Sequence, residues 1–443
     1  NPADVDAVLL THAHIDHSGR IPLLVKQGFK GKVFCTYATG ELVEILWNDS
    51  ARIMQEDAQW RTRKNLRKGL PKVEPLYGIA DVEDASALRS PLAYDEVTQI
   101  LPGLSVRFRE AGHILGSAII ETWISEEGVE KPVKVVFSGD LGPFDGVIEK
   151  PPTLIEEADY VFIESTYGDR LHKSLEDTRA EFQEAVKAAL DTASKILVPT
   201  FVVDRAQRML YEFRLFQKKF PELKMPPIFL DSPMGVKTTE IYEKHINLLS
   251  KDLKEMIISG ECPFEPHNFQ FVRTADESKA VNDMPDGIVL AGSGMCSGGR
   301  IMHHLKHNLW RKDSTILFVG YQVPGTLGNS LLNGAKQVKL FGETIEVHAK
   351  IENLPGISGH ADRNNLTKWI GAFETPPKKV FIVHGDDKVT ENFAAHVHEV
   401  YGYDTYAPYS GDTFDLVTGE QIADGSREMI EKKKNGSSKA SSN

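Results

Sequence analysis

The stretch T11-H-A-H-I-D-H-S-G-R20 places His12, His14, Asp16 and His17 within six positions, directly after the apolar run VDAVLL (residues 5–10). VDAVLL predicts a buried strand, and GRIPLLVKQG predicts the start of a helix. The cluster therefore sits on a strand-to-helix loop, the kind of segment on which ligand and catalytic groups concentrate. Without a cation, three imidazoles and a carboxylate would crowd into a poorly solvated corner. Neutral imidazole nitrogens and carboxylate oxygens are instead typical ligands of borderline-soft divalent metals such as zinc.

Four later stretches have the same character. His113 stands in AGHILGSA, Asp140 in VVFSGDLG, His360 with Asp362 in GISGHADR, and His384 in VFIVHGDD. Each follows a strand pattern or occupies a turn, with glycine beside it. Singly, a histidine at a strand end is often only hydrogen-bonded, and aspartate in SGD is a sound turn residue. Together they predict strand ends converging on one cleft. A catalytic zinc takes about three protein ligands plus water. His12, His14, Asp16, His17, His113, Asp140 and His384 supply three for each of two zincs and one carboxylate to bridge. Two metals about 3.5–4 Å apart suit in-line displacement at phosphorus.

Composition narrows the partners. The 443 residues suffice for two or three domains, and 41% apolar with 26% charged residues is an ordinary globular balance. No apolar run approaches ~18 residues, so no membrane span and no membrane partner is expected. A net charge of −12 argues against wholesale electrostatic binding of nucleic acid; a polyanion must be held by local basic clusters and metal. Cys35, Cys262 and Cys296 form neither a disulfide framework nor a CxxC site, which points to a reducing cytoplasm. The chain starts at Asn1 just before a strand, so N-terminal strands are expected to be missing. Mixed strands and helices run to about 168, strand–helix alternation characteristic of a parallel sheet to about 355, and a further sheet-and-helix layer to about 425. KKKNGSSKASSN predicts a disordered tail.

HxHxDH followed by GH, SGD and VHG resembles the metallo-β-lactamase superfamily. IESTYGDR, VPTFVVDRAQ, DSPMG, AGSGMCSGGR, GYQVPGTLG and ISGHAD narrow the resemblance to its β-CASP branch of nucleases, from residue 1 to about 425. The resemblance implies an α/β fold: a metallo-β-lactamase αββα sandwich lacking its N-terminal strands, with an inserted parallel-sheet β-CASP domain. The divisions expected are 1–168 and 356–428 (the latter an RNA-specificity region) for the two parts of the sandwich, 169–355 for the insertion, and 429–443 for the tail. It further implies that His12, His14 and His113 hold one zinc and Asp16, His17 and His384 the other, with Asp140 bridging. Manganese is compatible with the same residues. Glu164 and His360 match further motif positions, and a histidine at the position of His384 marks RNA-processing members. The family's first motif, an aspartate upstream of HxHxDH, has no counterpart after Asn1.

The activity so implied is zinc-dependent hydrolysis of single-stranded RNA, as an endonuclease, a 5′-exonuclease or both. The nucleophile so implied would be a metal-bridging hydroxide. His360 is the candidate general acid, oriented and kept protonated by Glu164, and Asp16 belongs to the catalytic set as well as to the ligands. The products would be a 3′-hydroxyl and a 5′-phosphate. The glycines of AGSGMCSGGR do not keep GxGxxG spacing. Gly294, Ser297, Gly298 and Arg300 instead predict backbone amides, a helix N-terminus and a cation facing an RNA phosphate. RTRKNLRK (61–68) and HHLKHNLWRK (303–312) are the two basic spots, each able to track a backbone or simply to form a solvated helix face. Phe201 and Tyr321 are candidates for base stacking or for core packing. A homodimer is compatible with this reading. The rivals are a small-molecule thioester or lactone hydrolase of the same superfamily, which would not need His360, and a non-catalytic RNA-binding scaffold, which would lack ligands.

Overall fold

Seven of the apolar runs build one mixed sheet in the order Thr405–Tyr406, Lys379–Val383, Tyr160–Glu164, Val133–Phe137, Ala118–Ile124, Leu104–Glu110, Thr98–Leu101. This is seen in a computed structural model that describes residues 1–192, 194–354 and 356–425. The tail expected at 429–443 lies outside the described residues. Ala7–Leu9, Lys32–Thr36 and Arg89–Leu92 form a second, small parallel sheet. Because strand side chains alternate faces, each sheet buries two different sets. Phe34 of the small sheet meets Val106, Phe108, Ala118 and Ile120 of the large one. On the far face of the large sheet, Ile119, Val136, Ile163 and Ile382 pack against Leu366, Trp369 and Phe393 of the helices Arg363–Ile370 and Asp387–Tyr401. On the far face of the small sheet, Val33 and Cys35 meet Leu42, Val43, Trp47 and Val82 of the helices Tyr37–Leu66 and Ile79–Ala87. The result is the expected helix–sheet–sheet–helix sandwich. VDAVLL contributes only Ala7–Leu9 as strand, half-buried because it pairs on one side alone; Leu10 is its buried residue.

Six parallel strands form the inserted sheet, in the order Phe269–Val272, Ile228–Asp231, Gly287–Ala291, Lys195–Pro199, Ser314–Phe318, Lys350–Asn353. Both faces are covered, as parallel sheets require. Leu197, Phe229, Val289 and Ile316 face Ile301, Leu305 and Leu331. Ile196, Val198, Ile228 and Leu290 face Phe182, Met209 and Phe213. The helix expected near Gly298 starts at Ile301 (Ile301–Asn308), because Gly299 takes a left-handed φ of 74° just before it.

A buried ionic network joins this sheet's helices to the sandwich. Arg208 donates Nη2–H bonds to Asp204 Oδ1 (2.8 Å) and Glu149 Oε2 (3.1 Å), and the Tyr242 hydroxyl donates to Glu149 Oε1 at 3.3 Å. All four residues are buried, so one guanidinium serves two carboxyls. Burial, with the charge of Asp204, pushes Glu149 well above the usual carboxylate range. Arg208→Met is expected to leave Asp204 as an uncompensated buried charge, lowering stability by about 3–5 kcal/mol. Calorimetric unfolding checks this, and a change below ~1 kcal/mol would show that the network is not holding the two units together.

Candidate metal centre

The sheet directions bring the site together. Leu104–Glu110 and Val133–Phe137 run the same way, each being antiparallel to Ala118–Ile124. Val133–Phe137, Tyr160–Glu164 and Lys379–Val383 are mutually parallel neighbours. The residues at or just past their carboxyl ends, His113, Asp140, Glu164 and His384, therefore emerge along one edge. The loop after Ala7–Leu9 is fastened to this edge by the bond from Ala118 N–H to Thr11 O (2.8 Å), which delivers His12, His14, Asp16 and His17. The Asp140 loop is pressed against the His113 loop: Gly142 N–H donates to Ala111 O at 2.8 Å, and a methyl group on Gly142 would lie 1.7 Å from Gly112 O. Only glycine permits that approach.

Among the described residues, the ligand atoms of His12, His14, His113 and Asp140 lie within 4.8 Å of one another, and so do those of Asp16, His17 and His384. Asp140 touches both groups. Its Oδ2 is 3.4 Å from His12 Nε2, 3.7 Å from His113 Nε2 and 3.3 Å from His17 Nε2, and its Oδ1 is 3.5 Å from His384 Nδ1. His113 Nε2 is 3.1 Å from His14 Nδ1, and His17 Nε2 is 3.1 Å from His384 Nε2. All seven predicted ligands are thus brought together from segments up to 372 positions apart (His12 to His384).

These residues fit a divalent cation. His12 Nε2 and Asp140 Oδ1 are buried without a hydrogen-bond partner, a condition that costs about 1–3 kcal/mol per group unless something coordinates it. Burial lowers the pKa of His12, takes His113 well below the ordinary value and brings His14 down to about 3. Their imidazoles are therefore neutral, as ligation requires. His384 behaves differently: its hydrogen bond to Asp16 lifts it to about 9, so a cation binding there displaces a proton. His384 also adopts a left-handed φ of 53°, a strained conformation costing ~1–3 kcal/mol that aims its ring at the cluster.

Residues not predicted for the site aim the rings. Thr11 Oγ1 lies 3.1 Å from His12 Nδ1, the carbonyl of Gly359 2.8 Å from His113 Nδ1, and Thr166 Oγ1 3.0 Å from His384 Nδ1. Such partners set tautomer and ring orientation. Thr11 and Thr166 adjoin motif residues, which is the one signal that could have marked them. Gly359 lies within ISGHAD but acts through its backbone carbonyl, so its residue type does not mark the role.

His360 and Glu164 meet beside the cluster. His360 Nδ1 is 3.4 Å from Glu164 Oε1, and the His360 ring centroid is 4.3 Å from that of His113. Glu164 oxygens also lie within 4.8 Å of Asp140 and His384 ligand atoms. They also accept bonds from Leu141 N–H (2.6 Å) and Thr166 N–H (3.2 Å), which hold the carboxylate in place beside His360. Burial would lower the His360 pKa, but the charge and hydrogen bond of Glu164, with Asp140, raise it above the ordinary value. His172 Nε2 holds the His360 carbonyl at 3.2 Å, and Asp362 caps the helix Arg363–Ile370 through Asn365 N–H at 2.9 Å. His172, in DRLHK, carried no motif.

The carboxyl edge of the inserted sheet faces this centre. The turn after Lys195–Pro199 carries Asp204, whose Oδ2 would be 3.1 Å from a methyl group on Gly359. Phe201 and Tyr321, from this edge, are exposed rather than packed in the core. Gly294 is buried against the Phe201 ring, Ser297 and Gly298 lie on the outer turn, and Ser297 N–H donates to Ser293 Oγ at 3.0 Å. Arg300, expected beside a phosphate, is turned into the fold: its guanidinium donates to Asp231, to Val272 O (3.1 Å) and to Arg273 O (3.1 Å). Asp231 is fully buried and needs that charge.

Comparison with known proteins agrees with this architecture. Residues 1–200 match a beta-lactamase superfamily domain, 206–331 a Beta-Casp domain and 344–408 a Zn-dependent metallo-hydrolase RNA specificity domain. A ribonuclease of Thermus thermophilus is 37% identical over 389 residues, covering 88% of this chain and 83% of the relative. Transcription termination factors FttA of Cenarchaeum symbiosum and Methanocaldococcus jannaschii are each 31% identical, over 423 and 420 residues. The alignments cover 93% and 92% of this chain but 62% and 63% of those factors, so the chain spans less than two thirds of their length. None of the described helices is long and apolar enough to cross a membrane. With the sandwich, the inserted parallel sheet and the seven clustered ligands in place, these matches establish that the chain belongs to the β-CASP branch of the metallo-β-lactamase superfamily.

Proposed function

We propose that this chain is a zinc-dependent ribonuclease that hydrolyses phosphodiester bonds of single-stranded RNA, leaving a 3′-hydroxyl and a 5′-phosphate. The observation that carries this reading is the His360–Glu164 pair standing beside the cluster of seven candidate ligands, which supports His360 as the proton donor to a leaving group. The ribonuclease among the relatives and the RNA specificity match support RNA as substrate. His12, His14 and His113 would hold one zinc and Asp16, His17 and His384 the other, with Asp140 shared. Bound there, zinc supplies a water activated at neutral pH and neutralises charge on the phosphodiester. The strand lies in the cleft between the carboxyl edges of the two sheets, where exposed Phe201 and Tyr321 offer stacking faces. The water oxygen bonds to phosphorus as the P–O3′ bond breaks. His360 Nδ1 is engaged by Glu164, so Nε2 delivers the proton to the departing 3′ oxygen. Glu164, anchored by two backbone amides, keeps that imidazole oriented and protonated.

The test gives the full chain a single-stranded RNA labelled separately at each end, with zinc or with chelator. Zinc-dependent fragments bearing 5′-phosphates are expected; internal fragments identify an endonuclease, and released mononucleotides a 5′-exonuclease. A folded, zinc-loaded chain that leaves RNA intact but hydrolyses a thioester or lactone would overturn the reading.

A further inference from the structure

The two basic spots of the sequence have different fates in the fold. In 303–312 the charges are mostly paired: His304 is buried against Asp231 (2.6 Å), Lys306 pairs with Glu343 (2.6 Å) and Arg311 with Asp313 (2.8 Å), and Lys312 is its one lysine or arginine without an ion pair among the described residues. In 61–68 they are not. Arg61 pairs with Asp57 at 2.8 Å, but none of Arg63, Lys64, Arg67 and Lys68 forms an ion pair among the described residues. Residues 57–72 hold six cations against one carboxylate on a chain of net charge −12. The last turns of the helix Tyr37–Leu66 are exposed nearly all round, and the following loop is folded back by Val73 N–H donating to Thr62 Oγ1 (2.9 Å). Trp60, a residue usually well covered, is 49% exposed there, with Lys64 Nζ 3.6 Å from its ring centroid. A half-exposed aromatic ring beside cations that have no carboxylate partner is the combination that holds single-stranded nucleic acid.

The same helix measures a distance to the metal centre. At its start, Thr36 and Thr39 donate hydroxyl bonds to Gly116 O at 2.7 and 2.8 Å, on the loop that carries His113. From Thr39 to Arg63 the helix rises about 36 Å at ~1.5 Å per residue. We propose that the projecting end, through Trp60, Arg63, Lys64, Arg67 and Lys68, is a second contact surface for single-stranded RNA. It engages the strand roughly ten nucleotides from the scissile bond at a stacked spacing of ~3.4 Å. The choice of RNA rests on the ribonuclease reading above. RNA chains too short to span the helix gain nothing from this surface.

The experiment measures binding and cleavage of labelled oligoadenylate 5-mer and 25-mer by the zinc-loaded full chain, at several salt concentrations. Wild type is expected to bind the 25-mer about tenfold or more tighter than the 5-mer. Arg63→Gln/Lys64→Gln/Arg67→Gln/Lys68→Gln should lose that preference and leave the 5-mer unchanged. Its log K against log salt should flatten by about 3, at ~0.7 for each phosphate no longer neutralised. Trp60→Ala alone should weaken the 25-mer about fivefold or more, and its single exposed change keeps the test valid if the quadruple variant folds poorly. Unchanged 25-mer affinity, KM and salt slope in both variants would overturn the proposal; a surface that serves a protein partner instead would give that result. If wild type cleaves no RNA yet the variants lose 25-mer binding, the ribonuclease reading falls and this surface stands.

Discussion

Asp140→Asn is expected to lower kcat/KM on RNA by about 10³-fold or more, the several kcal/mol that metal stabilisation of the transferring phosphoryl group provides. The reason lies in the sharing. Asp140 Oδ2 stands 3.3–3.7 Å from His17, His12 and His113, and Oδ1 3.5 Å from His384. An amide of the same shape keeps one acceptor oxygen but replaces the other with an NH2 that cannot ligate, so one carboxylate can no longer serve both groups. Zinc content by atomic emission should fall below that of wild type. A second readout is independent of catalysis. Zinc at a hundred times its Kd stabilises a folded protein by about 2.7 kcal/mol. Zinc should therefore raise Tm clearly in wild type and much less in the variant. An equal zinc-induced shift in both proteins would show that Asp140 is not a shared ligand.

His360→Ala is expected to lower kcat on RNA about 10²–10⁴-fold, the usual worth of a positioned general acid, while zinc content stays at the wild-type level. The diagnostic comparison uses an aryl phosphodiester whose phenolate departs without protonation. General-acid catalysis predicts that this substrate is hydrolysed nearly as well by His360→Ala as by wild type. Glu164→Gln should follow the same pattern, because the glutamine oxygen can still accept from Leu141 N–H but no longer favours the imidazolium. Equal losses on both substrates would make His360 a residue that merely positions His113, with which its ring is in contact.

Much of this molecule was legible one segment at a time. Strand periodicity placed the runs that end at His113, Asp140, Glu164 and His384, and glycines beside them marked where the backbone must turn sharply. Because parallel neighbours in a sheet align their carboxyl ends, ligands at strand ends converge whatever their separation in sequence. That rule lets a local pattern announce a distant cluster, and it brings His113, Asp140 and His384 to the loop that carries His12, His14, Asp16 and His17.

Pairing is another matter. Nothing local distinguishes Arg300, whose charge is spent on buried Asp231, from Arg63, which is left in solvent; one sits against a sheet end and the other on a projecting helix. Likewise 303–312 and 61–68 are both basic in sequence, and only packing decides which charges are neutralised from within. The Gly359 carbonyl on His113 Nδ1 and His172 Nε2 on the His360 carbonyl act across 246 and 188 positions, each with a backbone atom at one end that carries no residue identity. Sequence by itself determined the chemistry available, because side-chain type sets ligand and proton affinity. Tertiary structure alone decided which of those groups are desolvated, paired or free, because burial and distance set the energy of every charge.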